Sequence, residues 1–392
     1  MKNLTRRQML AVGTGAVGAS MLGATIGATR LEAAEPQVPK KRLGKTGVDV
    51  PILAMGMAMK FHPRFDPRLA EAARLGVTYF DTGYVYAGGT VESAVGSFHT
   101  RARNRKALFL SGKTERHDRV EKDLQDGLRK ARTDHFDLYM LHGLGDPKTL
   151  NADMAKLVER LKKEGKIRHF GFSCHDGNVP ELLQLAAKTP WVEVVQFRYN
   201  FRQYGDKKLN AAIDAAAKAN VGLVAMKTQG SEASFTDAWK KYEKTGKWNK
   251  FQAVMKAVWA DERITSIVSH MDTFEKLKSN AKAAMSRGEM GAADWDALER
   301  YAKATRHLAC DGCDHHCSAA LDRSVPSVPI GTAMRFLMYH DAYGETAKAK
   351  ALFSALDRDV IRAADFSACQ AACPHGVDVA QHMDRAKRLF IV

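Results

Sequence analysis

The feature that most constrains this fold is an alternation of short apolar runs with segments of helical periodicity, extending from Lys41 to about Met285. The apolar runs have the length and composition of buried strands. They read PILAMG, VTYFDT, ALFLSGKT, FDLYMLHG, RHFGFSCH, VEVVQFRYN, GLVAMKTQG and ITSIVSHM. The segments between them, such as DRVEKDLQDGLRKAR, have the spacing of amphipathic helices. This alternation favours βα units around a parallel sheet.

Eight such units over about 240 residues have the size of a closed (β/α)8 barrel, the TIM barrel. An open, doubly wound sheet is the alternative, and it usually carries a glycine-rich phosphate-binding fingerprint after its first strand. No G-x-G-x-x-G sequence follows PILAMG. The sequence therefore predicts an α/β fold with a TIM barrel over residues 41–285.

A second region begins where this alternation stops. Beyond Met285 the pattern becomes helical, and five of the six cysteines lie there. A chain of 392 residues is long enough for one large domain and a smaller one. We therefore predict a helical C-terminal domain over residues 291–392.

The first 34 residues differ in character from both regions. Arg6 and Arg7 precede the run AVGTGAVGASMLGATIGA, and Arg30 follows it. Paired arginines before a weakly apolar run resemble a twin-arginine export signal. An uncleaved anchor is the alternative, but so many glycine and alanine residues make a poor membrane span. The resemblance implies a signal peptide over residues 1–34, export by the twin-arginine machinery and a periplasmic location.

The charge of the chain limits its partners. The formal net charge is +16, which is compatible with nucleic acid, anionic lipid or a phosphorylated cofactor. No basic motif interleaved with aromatic residues and no helix-turn-helix signature accompanies this charge. The sequence therefore argues against nucleic-acid binding.

Four polar side chains lie at the ends of three successive predicted strands. Asp81 belongs to VTYFDT, and Tyr86 lies in the loop behind it. Lys113 closes the third run and His142 the fourth. Each residue alone also fits an ordinary role, such as a helix cap, a solvated lysine or a core histidine. Because the C-terminal ends of barrel strands converge on one cavity, we predict that the four form one site.

These side chains have the chemistry that carbonyl reduction requires. Hydride addition to a carbonyl develops negative charge on oxygen, so a proton donor must stand beside it. Tyr86 is the predicted acid, and a buried Lys113, held by Asp81, is expected to lower the pKa of the phenol. His142 is expected to hydrogen-bond and orient the carbonyl oxygen.

The ordered set of motifs resembles the aldo-keto reductase family over roughly residues 41–284. KRLGKTGVDVPILAMG matches the opening hairpin and first strand of that family, and D-T-G-x-x-Y with Glu92 matches its tyrosine loop. Lys113 and His142 fall where the lysine and histidine of the family fall. GFS, VQFRYN and SHMDTFEKLKSN continue the match.

The resemblance implies an oxidoreductase that acts on small-molecule aldehydes or ketones, with NADP(H) bound across the barrel mouth. Ser173 and Gln196 would hold the nicotinamide carboxamide. The adenosine-phosphate and adenine site would be lined by His270, Thr273, Lys276 and Asn280. Lys276 begins a predicted helix, whose dipole and free amides attract phosphate, although a solvated helix face is the alternative.

The late cysteines follow the pattern Cys310-x2-Cys313-x3-Cys317, then Cys369-x3-Cys373-Pro374. Disulfides, a four-cysteine zinc site and a [4Fe–4S] cluster are the alternatives. A cysteine before proline resembles ferredoxin-type ligation, and an iron–sulfur-bearing branch of the family has such ligands in a C-terminal helical domain. The resemblance implies one [4Fe–4S] cluster, with Cys369 spare or substituting. Its predicted ligands are Cys310, Cys313, Cys317 and Cys373.

The source of electrons is a separate question for an exported reductase. Free NADPH is scarce outside the cytoplasm, so such an enzyme needs a bound nucleotide or another electron donor. A redox partner protein that passes electrons through the cluster towards the barrel is one hypothesis. The competing function is a non-catalytic barrel that serves as scaffold for an electron-transfer or zinc-binding module.

Overall fold

The structure, a computed structural model, describes residues 36–229, 248–286, 288–308, 310–321 and 328–391. The predicted export signal lies outside these residues. None of the described helices combines the length and the apolar character that a membrane crossing requires.

Eight of the described strands close into a parallel barrel in sequence order, with the last strand beside the first. They are β3 (Leu53–Gly56), β4 (Tyr79–Asp81), β5 (Phe109–Thr114), β6 (Phe136–Leu141), β7 (Ile167–Cys174), β8 (Val194–Arg198), β9 (Gly222–Met226) and β10 (Ser266–His270). Each lies on one of the eight predicted runs, with ends that differ by a few residues. The predicted TIM barrel is therefore confirmed.

A helix lies between each described barrel strand and the next, and another follows the last strand. These are α1 (Pro67–Arg74), α2 (Val91–Ala102), α3 (Val120–Lys130), α4 (Ala152–Lys163), α5 (Val179–Lys188), α6 (Lys207–Lys218), α7 (Lys250–Trp259) and α8 (Phe274–Met285). Short 3₁₀ turns cover Gly44–Thr46, Tyr86–Gly89, Arg105–Ala107, Pro147–Thr149, Phe201–Gln203 and Arg306–Leu308.

Capping side chains mark where several of these helices begin. Asp66 accepts a hydrogen bond from the amide of Arg68 at the start of α1. Asn249 and Gln252 form a reciprocal capping box at the start of α7. These contacts satisfy amide groups that the first helical turn leaves unpaired.

The N-terminal end of the barrel is closed by the antiparallel hairpin of β1 (Lys40–Arg42) and β2 (Asp49–Pro51). Leu43 and Val50 of this hairpin are fully buried. They pack with the strand residues Ala54, Tyr79, Phe109, Leu138, Met140, Val194 and Val224. Because apolar side chains fill this end, the site is built at the opposite, C-terminal ends of the strands.

The described chain beyond the barrel is helical. Its helices are α9 (Ala292–Thr305), α10 (His315–Ala320), α11 (Ile330–Tyr343), α12 (Thr346–Phe353), α13 (Arg358–Ala363), α14 (Ser367–Ala372) and α15 (Val379–Phe390). They enclose a core of their own, in which Phe353, Met383 and Phe390 are buried. Leu298 and Tyr301 of α9 belong to another apolar cluster, shared with α7 of the barrel. The C-terminal helices therefore have a separate core and are also packed against the barrel.

Candidate active site

The four side chains predicted from the strand ends meet at the C-terminal rim of the barrel. Nζ of Lys113, in β5, lies 2.6 Å from Oδ1 of Asp81, the last residue of β4. The same Nζ lies 5.1 Å from the centroid of the Tyr86 ring. The rings of Tyr86 and His142 meet edge to face, with centroids 5.5 Å apart. The structure thus brings all four residues together, and their catalytic roles stay predictions.

Lys113 and Asp81 form a buried ion pair, with side chains 1% and 2% exposed. Ser111 Oγ donates to Oδ1 of Asp81 at 2.9 Å, and Gln196 Nε2 donates to Oδ2 at 3.3 Å. Both oxygens of the buried carboxylate are therefore hydrogen-bonded, as a charged group in the interior requires. Burial lowers the pKa of Lys113, and the charge of Asp81 opposes that shift.

The electrostatics of Tyr86 differ from the sequence-based expectation. Burial raises the pKa of its phenol well above the ordinary value, and the negative charge of Asp81 raises it further. The expectation of a lowered pKa for Tyr86 is therefore wrong in this structure. The physical reason is that burial and the charge of Asp81 both disfavour the phenolate, and together they outweigh the attraction of the nearby ammonium. Tyr86 accordingly holds its proton across the physiological pH range.

Glu115 belongs to the site and was missed by sequence reasoning. Its Oε1 lies 3.1 Å from Nδ1 of His142, a close polar contact outside hydrogen-bond geometry. Contact with His142 lowers the pKa of Glu115, and burial lowers the pKa of His142. The imidazole beside Tyr86 is therefore neutral near pH 7. The available signal was the position of Glu115, two residues after Lys113 at the same strand end.

Ser173 and Gln196 lie opposite each other on β7 and β8. Gly171 permits this close approach, because a Cβ atom there would collide with the carbonyl of Val194. Ser173 Oγ accepts the amide of Gly143 at 3.0 Å, which leaves its hydroxyl hydrogen to donate. Oε1 of Gln196 is buried and has no hydrogen-bond partner among the described residues. The hydroxyl of Ser173 can donate a hydrogen bond and Oε1 of Gln196 can accept one. This pair matches the carboxamide of a nicotinamide, which has one acceptor oxygen and one donor nitrogen.

The four residues predicted for the adenosine end lie between the last residue of β10 and the middle of α8. Thr273 caps this helix by accepting the amide of Lys276 at 3.2 Å. Asn280 is buried and donates to Ser269 Oγ at 2.9 Å. Asp272, which the sequence reasoning missed, lies 2.7 Å from Nζ of Lys276. His270, the fourth predicted residue, is the last residue of β10. A phosphate bound by Lys276 would compete with this carboxylate.

The four cysteines predicted as ligands line one narrow cavity among the C-terminal helices. They are Cys310, Cys313, Cys317 and Cys373. Cys369 is fully buried beside them, with its Sγ 3.5 Å from the carbonyl oxygen of Cys317. None of the six cysteines is in a disulfide. In the part of the chain that the structure describes, no three Cys, His, Asp or Glu side chains are already grouped closely enough to hold a metal ion.

Arg198 connects the barrel to the cysteine-bearing loop. It ends β8, and its Nη2 donates to the carbonyl of Cys310 and to Oδ1 of Asp311, both at 3.0 Å. Nε2 of His375 lies 3.3 Å from Oδ2, the other carboxylate oxygen of Asp311. The cysteine region is therefore held beside the barrel mouth by a charged contact that sequence reasoning did not reveal.

Helix α11 lies over the same barrel mouth. Arg335 donates to His175, which directly follows β7, and forms an ion pair with Asp176. Tyr339, one turn later, lies with its Oη 3.5 Å from Nζ of Lys227, which directly follows β9. A cavity of about 370 Å³ separates the helix from these strand ends. This cover was also missed, because its contacts join distant parts of the sequence.

Comparison with known proteins places these observations in a family. The model of the Aldo/keto reductase family matches residues 64–287, which is more than half of the chain. An NADP(+) aldo-keto reductase of Schizosaccharomyces pombe is 26% identical over 185 residues, covering 42% of this chain and 52% of the relative. Methylglyoxal reductase YeaE of Escherichia coli is 33% identical over 122 residues, covering 30% and 42%. The chain thus spans about half the length of the curated relatives it matches.

Solved structures match over about two thirds of the chain. The holo form of an aldo-keto reductase from Bacillus halodurans has a TM-score of 0.57 and 19% identity, covering 68% of this chain and 96% of its own. An aldo-keto reductase from Klebsiella pneumoniae in complex with NADPH has a TM-score of 0.53 and 22% identity, covering 67% and 94%. At these identities the likeness shows the fold alone.

Proposed function

The chain belongs to the aldo/keto reductase family, and on that premise we propose that it reduces small-molecule aldehydes or ketones with NADP(H). The observation that carries this proposal is the grouping of Asp81, Lys113, Tyr86 and His142 at the ends of three successive strands. These groups supply a proton, a positive charge and an orienting imidazole at one point, as reduction of a carbonyl requires.

In the proposed mechanism each residue has one task. Tyr86 donates its phenolic proton to the carbonyl oxygen, and His142 orients that oxygen beside the phenol. The ammonium of Lys113 stabilises the negative charge that develops on Tyr86, while Asp81 fixes the ammonium in place. NADPH, when bound, supplies the hydride for the carbonyl carbon, so the products are an alcohol and NADP⁺.

The residues predicted for the cofactor fit this assignment at the nicotinamide end. The unsatisfied Oε1 of Gln196 would accept a hydrogen bond from the carboxamide nitrogen, and the hydroxyl of Ser173 would donate one to the carboxamide oxygen. At the adenosine end, Lys276 and Thr273 at the start of α8 are assigned to the 2′-phosphate. Asn280 is assigned to the adenine, and His270 lines the same end of the site.

The proposal is tested by NADPH-dependent reduction of a panel of aldehydes. Tyr86→Phe is expected to lower the rate of reduction by about 100-fold or more, because phenylalanine has no proton to donate. Tyr84→Phe is the matched control, since Tyr84 lies in the same loop but packs under Arg116 and Lys130. Equal rates for Tyr86→Phe and wild type, or no reduction by either, would favour the non-catalytic scaffold.

We assign the cysteine cavity to a metal centre, with one [4Fe–4S] cluster as the favoured occupant and zinc as the alternative. Four thiols around one cavity supply the ligand number that either centre needs, and Cys373 precedes a proline. The four cysteines line one cavity, but no three of these side chains are close enough to coordinate one metal ion in the described structure, so binding requires them to move closer together. A bound cluster would allow electrons to pass between the barrel and a redox partner protein.

Anaerobic purification followed by iron, sulfide and zinc analysis tests this assignment. We expect about four iron and four sulfide per chain, with a visible absorption band, as a single [4Fe–4S] cluster requires. Cys373→Ser is expected to reduce the metal content, and Cys174→Ala, in the barrel core, is expected to retain it. One zinc per chain would favour the alternative, and metal-free protein would contradict both.

We further propose that the chain is exported to the periplasm by the twin-arginine machinery. This rests on the paired Arg6 and Arg7 before a weakly apolar run. Fractionation of cells that express wild type and a variant with Arg6→Lys and Arg7→Lys tests the proposal. Wild type is expected in the periplasm and the variant in the cytoplasm; an identical distribution contradicts it.

A further inference from the structure

The cavity between the barrel and α11 is lined by charged side chains to which the mechanism above gives no role. Arg198 ends β8, Lys227 follows β9 and Arg335 lies in α11, so three separate elements bring cationic groups to one space. We infer that this cavity binds a carboxylate of the carbonyl substrate, so that the enzyme prefers oxo acids to their neutral analogues. This inference rests on the proposed reductase function.

Arg335 is the residue on which the inference chiefly depends. Its Nη1 donates to Nδ1 of His175 at 2.7 Å and pairs with Asp176. Its Nε is also buried, and it has no hydrogen-bond partner among the described residues. A buried N–H group without a partner is unfavourable, and an oxygen of a bound carboxylate would satisfy it.

The carboxylates that line or adjoin the cavity have partners. Asp341 pairs with Arg385, and Asp311 pairs with Arg198. Asp314 accepts a hydrogen bond from the backbone amide of Gly331 in α11. These three carboxylates are therefore engaged by other groups. None of them accepts a hydrogen bond from Nε of Arg335.

Cationic groups surround the phenol of Tyr339, which lies in α11. Burial raises the pKa of Tyr339, but the charges of Lys227, Arg335 and Lys348 outweigh burial, and the net shift is downward. A cationic field of this kind also favours an anionic ligand over a neutral one.

The direction of the substrate follows from the spacing of residues on α11. Arg335 and Tyr339 are four positions apart, on one face of the helix and about 6 Å apart along its axis. Tyr339 lies close enough to Tyr86 for the ionisation of one phenol to disfavour that of the other. A substrate with its carboxylate on Arg335 therefore extends past Tyr339 with its carbonyl towards Tyr86.

The shape of the cavity agrees with a small organic acid. Met334, Leu337 and Met338 supply apolar surface between the charged groups. A volume of about 370 Å³ suits a small aromatic or aliphatic ligand. In the reaction the carbonyl carbon receives a hydride from NADPH and the oxygen receives the proton of Tyr86, so an oxo acid becomes a hydroxy acid.

The first test compares 4-carboxybenzaldehyde with its neutral methyl ester in NADPH-dependent reduction. Wild type is expected to have the lower KM for the acid. Arg335→Gln is expected to raise that KM by about 10- to 100-fold, the loss of one charge-assisted contact, and to leave the KM for the ester unchanged. Arg362→Gln is the matched control, because Arg362 pairs with Asp359 on the exposed face of α13. An equal change for acid and ester overturns the inference.

The second test does not depend on turnover. Calorimetric titration of the NADP⁺-loaded protein with 4-(hydroxymethyl)benzoate is expected to show binding to wild type and Arg362→Gln, and about 10- to 100-fold weaker binding to Arg335→Gln. If binding is weaker in Arg335→Gln alone and wild type shows no turnover, the carboxylate site is supported and the reductase proposal fails. Equal binding to all three proteins overturns the inference.

Two further measurements distinguish loss of the carboxylate site from loss of cofactor binding and from unfolding of the variant. If the affinity for NADP⁺ falls in Arg335→Gln by the same factor, the cavity holds the phosphates of the cofactor and the inference is overturned. Arg335→Lys keeps a positive charge beside Asp176. It is therefore expected to stay folded, and it replaces Arg335→Gln in the test if the glutamine variant unfolds. It is expected to bind the acid more weakly than wild type, because lysine lacks the planar pair of donors; unchanged binding contradicts the inference.

Discussion

At the scale of single residues, the pair of Lys113 and Asp81 indicates a functional role. The two side chains are almost fully buried, with Nζ and Oδ1 2.6 Å apart. Burial still lowers the pKa of Lys113, so desolvation outweighs the attraction of Asp81. A buried ion pair is weak support for stability, whereas it places a fixed positive charge 5.1 Å from the centroid of the Tyr86 ring.

A double-mutant cycle tests the coupling between these two residues. Lys113→Met is expected to lower the free energy of unfolding by roughly 3–5 kcal/mol, because it leaves Asp81 charged and buried without its partner. Adding Asp81→Asn is expected to restore part of that loss. Urea denaturation measures both, with the exposed Lys156→Met as a control expected to change stability by less than about 1 kcal/mol. Additive effects would contradict the coupling.

At the scale of elements, the periodicity of the sequence made the strands predictable. Contacts between distant parts of the chain could not be predicted from it. The apolar runs of the eight strands are local patterns, and the polar residues at their ends follow from the fold. The contact between Lys227 and Tyr339 joins positions 112 residues apart, and no local pattern encodes it. The pKa of Tyr86 was mispredicted for a similar reason, because burial depends on packing that the sequence does not display.

Helix α2 carries a buried carboxyl group near its first turn. Glu92 is 2% exposed, and its Oε2 has no hydrogen-bond partner in the described structure. Burial raises the pKa of Glu92 from 4.5 to about 7, although Lys130 opposes the shift. The folded state therefore binds this proton more tightly than the unfolded state does.

The consequence is a pH-dependent stability. Unfolding free energy is expected to be highest below pH 4.5 as far as Glu92 is concerned, and to fall by up to roughly 3 kcal/mol as pH rises to about 7. Glu92→Gln is expected to remove this component, so that wild type loses more stability than the variant between pH 5 and pH 8. Urea denaturation at both pH values measures the difference, with the exposed Glu159→Gln as control. Identical pH dependence in wild type and Glu92→Gln would exclude the effect.

At the scale of the whole molecule, the barrel and the C-terminal helices share one functional face. Arg198 holds the cysteine-bearing loop from the barrel side, and Arg335 reaches the strand ends from α11. The proposed metal centre and the proposed substrate cavity are consequently neighbours, since Cys310 lines both spaces. Loss of the metal is therefore expected to change ligand binding at the barrel mouth.

Metal removal tests this connection. Chelation of the metal from wild-type protein is expected to lower the Tm, because metal binding stabilises the folded ligands. It is also expected to weaken binding of 4-(hydroxymethyl)benzoate at the mouth. Cys373→Ser, expected to hold less metal, should respond less to the chelator, and Cys174→Ala should behave as wild type. An unchanged Tm in wild type after complete metal loss would contradict a structural role for the centre.

The central claim is that Tyr86 donates the proton in carbonyl reduction at this barrel mouth. The most direct measurement is the single-turnover rate of NADPH oxidation after rapid mixing with aldehyde, in wild type and in Tyr86→Phe. The predicted result is a rate lower by about 100-fold or more in the variant, the usual contribution of a general acid, at an unchanged dissociation constant for NADPH. Equal single-turnover rates in the two proteins would contradict the claim.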